Sequence, residues 1–453
     1  MWRSILRCIG YVAVILCVWV FGISIAGAYE PPSEISREEI VKTNNAVLAM
    51  PDLKLRVVED VFRIKALGLD WDVGVKVYEP EDPSKVLVGP EGKKLGLFLL
   101  HGGAGDYRSV EPFALVLAGK FGFKVTNMTF PGRLYLPDPS RNWPGDTVHP
   151  DGSVRTPMWQ RGEVIGKDQY EMIQDRSRRE RFGTLIMAKA KPGTVFYDRM
   201  AAWPVAFEEA MQEVCRRHLP PDQYIVITNG HSTGGPFAHY LSQRVPNVVG
   251  VLGLGSAPFG YIYSKMIGQV WDAPFNSLRI RNWRDLARYA GEGREKDDWR
   301  LLPMIMEDVL EGWHEVTTEP QLKAEDFILL NRVTSLADAA RAAAKRLNLN
   351  AQETEALVNR YVGYTKELSG PGVKAVPPIV YFSAKGDRDM SLKHYTETAL
   401  PMYAAMKPAP KVRVVLVGAG VHWYNQPEQD LPKGIAPAVA KYWYDTITGG
   451  YFY

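Results

Sequence analysis

A series of short apolar runs, spaced along most of the chain, limits what this sequence can fold into more than any other feature. Residues 95–100, Leu-Gly-Leu-Phe-Leu-Leu, are apolar at consecutive positions. A strand built from them carries apolar side chains on both faces and has to be covered on both. Comparable runs recur at 123–130, 224–228, Val248–Leu254, 379–382 and Val412–Val417. Helical stretches such as 205–218 and 236–244 separate several of them. Alternation of that kind predicts an α/β protein with a mostly parallel, doubly wound sheet. Ahead of these, 57–78 is β-rich with little helical periodicity and predicts two or three strands in a mostly antiparallel beginning.

Two intervals are too long for simple connections and must carry structure of their own, 133–199 and 259–376. The first is rich in Pro, Gly, Trp and charge and reads as loop plus one charged helix; its Arg cluster at 176–181 alternates with Glu180 and reads as a solvated face. The second reads as helical. Ser335 and Asn350 each stand three positions ahead of an acid, Asp338 and Glu353, which is a helix-start signature, and Ser369-Gly370-Pro371-Gly372 is a stop. With 453 residues, 46% of them hydrophobic, the chain can bury a large core, which argues against disorder. Lys and Arg number 54 against 51 Asp and Glu. That near-balance argues against a nucleic-acid binder.

The N-terminus carries Arg3 and Arg7, and then no charge from Cys8 to Ala28. Ala26-Gly27-Ala28 forms a small-residue cleavage pattern just before Tyr29, so residues 1–28 read as a signal peptide. The alternative is an uncleaved N-terminal anchor, because the apolar run approaches the roughly 20 residues that span a bilayer. Either way the rest of the chain is expected outside the cytoplasm, periplasmic or secreted, or else held at the membrane only through this segment. Leu16 ahead of Cys17 does not suit lipoprotein attachment. With Cys8 and Cys17 in the targeting segment, Cys215 is left alone and reads as a buried residue.

Gly230-His231-Ser232-Thr233-Gly234-Gly235 follows one of the buried strands and precedes a helical stretch, which is G-x-S-x-G in strand–turn–helix context. Flanking glycines permit a turn tight enough to hold Ser232 in strained backbone at the tip of the sheet and at the positive end of the next helix. His101-Gly102-Gly103-Ala104-Gly105 directly follows the run at 95–100. A loop this poor in side chains can bring backbone N–H donors close to a developing oxyanion. Gly103 is the first choice of donor and Ala104 the second, joined by the N–H of Thr233.

Of the histidines, His422 alone follows a late buried strand, across Gly418-Ala419-Gly420-Val421, and so stands at the same sheet edge as Ser232. His101 belongs to the glycine loop. His231 is expected to point away and pack, and His149, His218, His239, His314 and His394 read as structural or surface residues. A carboxylate orienting His422 is expected past the run at 379–382, where Lys385-Gly386-Asp387-Arg388-Asp389 follows. Asp389 is preferred to Asp387, on a G-x-x-D pattern and not on geometry. The Asn127-Met128-Thr129 sequon falls in a buried run and reads as accidental.

With HGGAG at 101–105, GHSTGG at 230–235, GDRD at 386–389 and GAGVHW at 418–423, the sequence resembles the α/β-hydrolase superfamily. HGGAG departs from a strict H-G-G-G, and the interval 133–199 is longer than the usual connection. The resemblance implies an eight-stranded sheet, with 29–258 and 377–453 as the two parts of the core and 259–376 as a helical cap inserted after the sixth strand. It further implies a serine hydrolase acting on a small-molecule carboxylic ester through Ser232, His422 and Asp389. A serine peptidase or amidase of the same fold is the alternative, and a non-catalytic hydrolase-fold binding protein the second. No H-E-x-x-H, cysteine cluster or G-x-x-x-x-G-K-[ST] is present, so neither metal nor cofactor is expected.

Overall fold

Residues 29–102, 106–132, 168, 170–175, 185–190, 193–232, 234–256, 334–362, 374–387, 390, 392, 395–404 and 408–453 are described by the structure, a computed structural model. Nine of their strands share one sheet. In chain order these are β1 (Ser33–Ile35), β2 (Leu55–Ala66), β3 (Leu69–Pro80), β4 (Lys94–Leu100) and β5 (Lys124–Met128), then β8 (Tyr224–His231), β9 (Val248–Leu254), β10 (Ile379–Ala384) and β11 (Val412–Val417). A separate antiparallel pair, β6 (Tyr170–Asp175) and β7 (Leu185–Ala190), lies in the first long interval. The described part of that interval is thus chiefly an antiparallel strand pair, followed by the start of the helix at Val195, where loop and one charged helix are expected; 176–184, where the Arg cluster falls, lies outside the described residues.

The order across the sheet is β1-β11-β10-β9-β8-β4-β5-β3-β2. β3 runs antiparallel to both its neighbours, and the other pairs are parallel. From β2 to β11 that order and those directions are the α/β-hydrolase fold. The ninth strand, absent from the eight-stranded expectation, is β1. Ile35 pairs with Val417, and its carbonyl also accepts from the Gly418 N–H at 2.8 Å, so the open edge of β11 is covered by three extended residues ahead of the first helix. β2 and β3 form a hairpin whose turn residues, Leu67 and Gly68, both have positive φ, 49° and 75°. That backbone matches the twist of the flanking strands.

Consecutive apolar residues in the central strands divide between two cores. Phe98 and Leu100 of β4, Ile379 and Tyr381 of β10, and Val412 and Val414 of β11 face one of them. Leu97 and Leu99, Val380 and Phe382, and Val415 and Val417 face the other. The second core is closed by α1 (Arg37–Ala49), α2 (Glu111–Phe121) and α7 (Ala436–Thr448). The first is closed by α3 (Val195–His218), α4 (Gly234–Arg244) and α5 (Thr334–Arg346). Cys215 is buried on α3 and its thiol is pushed up to about 12 by desolvation, as suits a packing residue.

Within 259–376 the structure describes α5, α6 (Ala351–Val362) and the residues from Lys374 onward. Asn350 caps α6 as expected, its Oδ1 accepting from the Glu353 N–H while Glu353 accepts from the Asn350 N–H, both at 2.9 Å. Ser335 is the second residue of α5 and so does not cap it. Arg346 fixes α5 to the body through Asp198 at 2.6 Å and the Leu67 carbonyl at 2.8 Å. The remainder of the expected cap, 259–333 and 363–373, lies outside the described residues.

Beneath the C-terminal end of the sheet, His239 of α4 places Nε2 at 2.7 Å from Tyr381 Oη and 3.3 Å from Tyr403 Oη. Desolvation pushes the His239 imidazole down to about 3, against roughly 6.5 in an unfolded chain. Between those values the unfolded state binds a proton that the folded state does not. Stability from this group is therefore complete above about pH 6.5 and is lost as pH falls toward the folded value. We expect His239→Gln to be less stable at neutral pH, yet to lose less on acidification. Its urea-unfolding free energy should fall less steeply between about pH 6 and pH 4, by ~1.4 kcal/mol per pH unit.

Candidate active site

β8 runs through Gly230 to His231 and α4 starts at Gly234, so only two residues make the turn between strand and helix. Ser232 stands in that turn with φ at 49°, in left-handed backbone that a residue with a side chain rarely adopts. The glycines are required by close approach. A methyl group on Gly230 would lie 2.0 Å from the Gly234 carbonyl oxygen, and one on Gly234 would lie 2.6 Å from the His101 carbonyl oxygen. Two backbone bonds hold the turn: the Ser232 N–H donates to the Gly255 carbonyl at 3.2 Å, and the Gly235 N–H donates to the Ser232 carbonyl at 2.9 Å. Thr233 lies outside the described residues.

His422 lies on the loop after β11 with Nδ1 at 3.1 and 3.2 Å from the two carboxylate oxygens of Asp387. Asp387 is the carboxylate paired with His422; Asp389, preferred on the sequence pattern, lies outside the described residues. Asp387 follows β10 by three residues, and its Oδ1 also accepts from the Met390 N–H at 2.9 Å, which points the carboxylate across to the neighbouring β11 loop. A G-x-x-D count passes over a residue that the strand end already delivers. With Nδ1–H donated to Asp387, His422 Nε2 is left with its lone pair, as a general base requires.

The two loops are also tied backbone to backbone. The Gly386 N–H donates to the Gly420 carbonyl at 2.9 Å, the Gly420 N–H donates to Glu428 Oε1 at 2.8 Å, and Arg37 of α1 pairs with Glu428 at 2.7 Å. Gly255, at the end of β9, is where the constellation meets. Its carbonyl holds Ser232, its φ is +57°, and a methyl group on it would lie 3.1 Å from Asp387 Oδ2 and 3.2 Å from His422 Nδ1.

The glycine loop starts beside the same turn. A methyl group on Gly102 would lie 3.3 Å from Ser232 Cβ; Gly103 and Ala104, the expected oxyanion donors, lie outside the described residues. Both ends of the loop are anchored by residues at and just past the end of β5. His101 Nε2 accepts from the Phe130 N–H at 3.2 Å while its Nδ1 donates to the Gly102 carbonyl at 2.6 Å, which fixes the tautomer. At the other end Asn127 Nδ2 donates to the Tyr107 carbonyl at 3.2 Å, and the Tyr107 N–H donates to Thr129 Oγ1 at 3.1 Å. The two sequon residues are therefore buried loop anchors. Sequence reasoning missed these roles of His101, Asn127 and Thr129, although β4 and β5 are neighbours whose ends reach the same level.

His231 does more than pack, a role that its place beside Ser232 in the sequence does not signal. It is buried, with Nε2 at 2.8 Å from the His422 carbonyl oxygen. His218 pairs with Asp60 on the far side of α3, at 2.9 Å, away from this edge; His149, His314 and His394 lie outside the described residues.

No protein-family model matches the chain, and no curated protein matches it in sequence. Among solved structures it is similar to a membrane phospholipase A described as a bacterial virulence factor, at 14% identity over 99% of both chains with a TM-score of 0.32. It is also similar to brefeldin A esterase, a bacterial homologue of human hormone-sensitive lipase, at 14% identity over 96% of this chain and 91% of that one, TM-score 0.38. A third is acetyl xylan esterase 1 from Thermoanaerobacterium sp. JW/SL YS485, at 11% identity over 93% and 96%, TM-score 0.35. The fold assignment rests on the strand order and directions themselves.

Gly255→Ala tests the meeting point. Left-handed backbone and two tight polar contacts are expected to lower stability by about 1–3 kcal/mol, measured by urea unfolding. The folded fraction should react with a fluorophosphonate at Ser232 about 100-fold more slowly than wild type, because the methyl displaces Asp387 and His422.

Proposed function

We propose that this chain is an exported serine hydrolase that cleaves a small-molecule carboxylic ester. The observation that carries the reading is the pair of strained and paired groups around Gly255: Ser232 at φ 49° in a strand–turn–helix, and His422 Nδ1 on Asp387 at 3.1 Å. Ser232 is the nucleophile. His422 Nε2 takes its proton as Oγ attacks the ester carbonyl, and Asp387 stabilises the imidazolium that forms. The tetrahedral oxyanion is received by backbone N–H groups of Gly103 or Ala104 and Thr233, at the positive end of α4. His422 then returns the proton to the departing alcohol, and the same base activates water to release the acid from Ser232. Acidification protonates His422 and removes the base, so turnover falls on the acid side of its profile.

Export is proposed on the sequence of residues 1–28, with Arg3 and Arg7 ahead of an uncharged stretch that ends in Ala26-Gly27-Ala28. The membrane contact of an uncleaved form would be through this segment alone.

Fluorophosphonate labelling of residues 29–453, with the modified peptide read by mass spectrometry, tests the nucleophile. Ser232 is expected to carry the label, and Ser232→Ala to carry none. A folded wild-type protein left unlabelled would remove the hydrolase reading.

The acid is tested separately. Asp387→Asn is expected to lower kcat by about 10³- to 10⁴-fold on a p-nitrophenyl ester, while Asp389→Asn stays within a few-fold of wild type. The reverse ranking would return the role to Asp389.

A further inference from the structure

The end of β8 delivers two consecutive residues to this edge of the sheet. Ser232 turns into the left-handed region, and His231, still on the strand, stays buried. The imidazole of His231 is enclosed by the parts of the site that have to be held at fixed spacing. Its Nδ1 lies 3.1 Å from where a methyl on Gly102 would stand, at the start of the glycine loop. Its Nε2 is 2.8 Å from the carbonyl oxygen of His422. Its ring lies 4.9 Å from that of His422, 5.1 Å from Trp423 and 5.2 Å from Tyr424, the last edge-on, so three consecutive residues of the β11 loop bear on it.

A carbonyl oxygen only accepts, so Nε2 carries the proton and donates it. We infer that His231 is a positioning residue for the base: its Nε2–H holds the backbone of His422 and thereby sets the distance and aim of the His422 ring relative to Ser232. With Ser232 and His422 in the roles proposed above, on which this assignment rests, nucleophile and base are gauged by adjacent residues of one rigid strand end. In the sheet itself β8 and β11 are separated by β9 and β10.

Imidazole suits the place for two reasons. It spans from strand to loop with few rotatable bonds, so little freedom is lost in holding the contact. It also stays uncharged there, since desolvation first and the neighbouring His422 second push it down to about 3. A cation at that distance would oppose the imidazolium that His422 becomes during attack.

The test compares His231→Leu, which fills the space without a donor, with His231→Gln, whose terminal amide reaches the place of Nε2 and restores one. His231→Leu is expected to slow fluorophosphonate labelling of Ser232 and to lower kcat on a p-nitrophenyl ester by about 10- to 100-fold, with KM within about two-fold. His231→Gln should return both to within about five-fold of wild type. Wild-type rates in His231→Leu would overturn the assignment. So would equal losses in the two variants, which would leave only shape. Should His231→Leu not fold, His231→Asn takes its place: its shorter amide does not reach the carbonyl, so it should be slow where Gln is fast, and equal rates would overturn the assignment.

The low-field proton resonance of His422 Nδ1–H on Asp387 gives a readout independent of turnover. It is expected in wild type and His231→Gln and lost or broadened in His231→Leu, and its persistence in His231→Leu would overturn the assignment. An unlabelled wild type would remove the hydrolase reading, and this resonance would still decide whether His231 positions His422.

Discussion

Parallel register across four neighbouring strands is what the site depends on. His231 stands opposite Leu254, Leu254 opposite Phe382, and Ala384 opposite Val417, so β8, β9, β10 and β11 reach the same edge within a residue or two of one another. Each strand then needs only a short excursion to present its group: one residue from His231 to Ser232, one from Leu254 to Gly255, three from Ala384 to Asp387, five from Val417 to His422. Because side chains alternate along a strand, a one-residue slip of β9 would exchange its core-facing residues with those of the opposite face. The apolar residues that fill the two cores therefore also hold the excursions in place.

Given that frame, the buried imidazoles at the edge make directional bonds to the backbone. His101 accepts from Phe130 and donates to Gly102, and His231 donates to His422. Each bond satisfies a backbone group that burial would otherwise leave unmet. His422 differs from these in having a carboxylate against Nδ1.

Much of the fold was legible because its signal is local and repetitive. Consecutive apolar positions at 95–100 and 414–417 follow from a sheet covered on both faces, and the Asn350–Glu353 cap from a bond between residues three apart. β1 was not legible: three residues, Ser-Glu-Ile, have no periodicity and become a strand only because β11 offers an edge. In the site, Ser232 and His422 were visible from glycine turns and strand order. The pairing of Asp387 with His422 was not, since it depends on how far a loop after one strand reaches toward a loop after the next. Asn127 and Thr129 were hidden for the same reason, as their contacts are with a loop some 20 residues away in sequence.

Strain at Ser232 has a price, and the structure indicates where it is offset. Left-handed backbone at a residue with a side chain persists only where the surroundings over-determine it. Here the surroundings are the Gly255 carbonyl on the Ser232 N–H, the Gly235 N–H on the Ser232 carbonyl, and the approach of Gly234 to the His101 carbonyl. These contacts come from β4, β8, β9 and the first turn of α4, all within 94–256 and all outside the long interval that begins past β9. The geometry that holds the Ser232 turn is therefore built into the central sheet, apart from the interval that begins past β9.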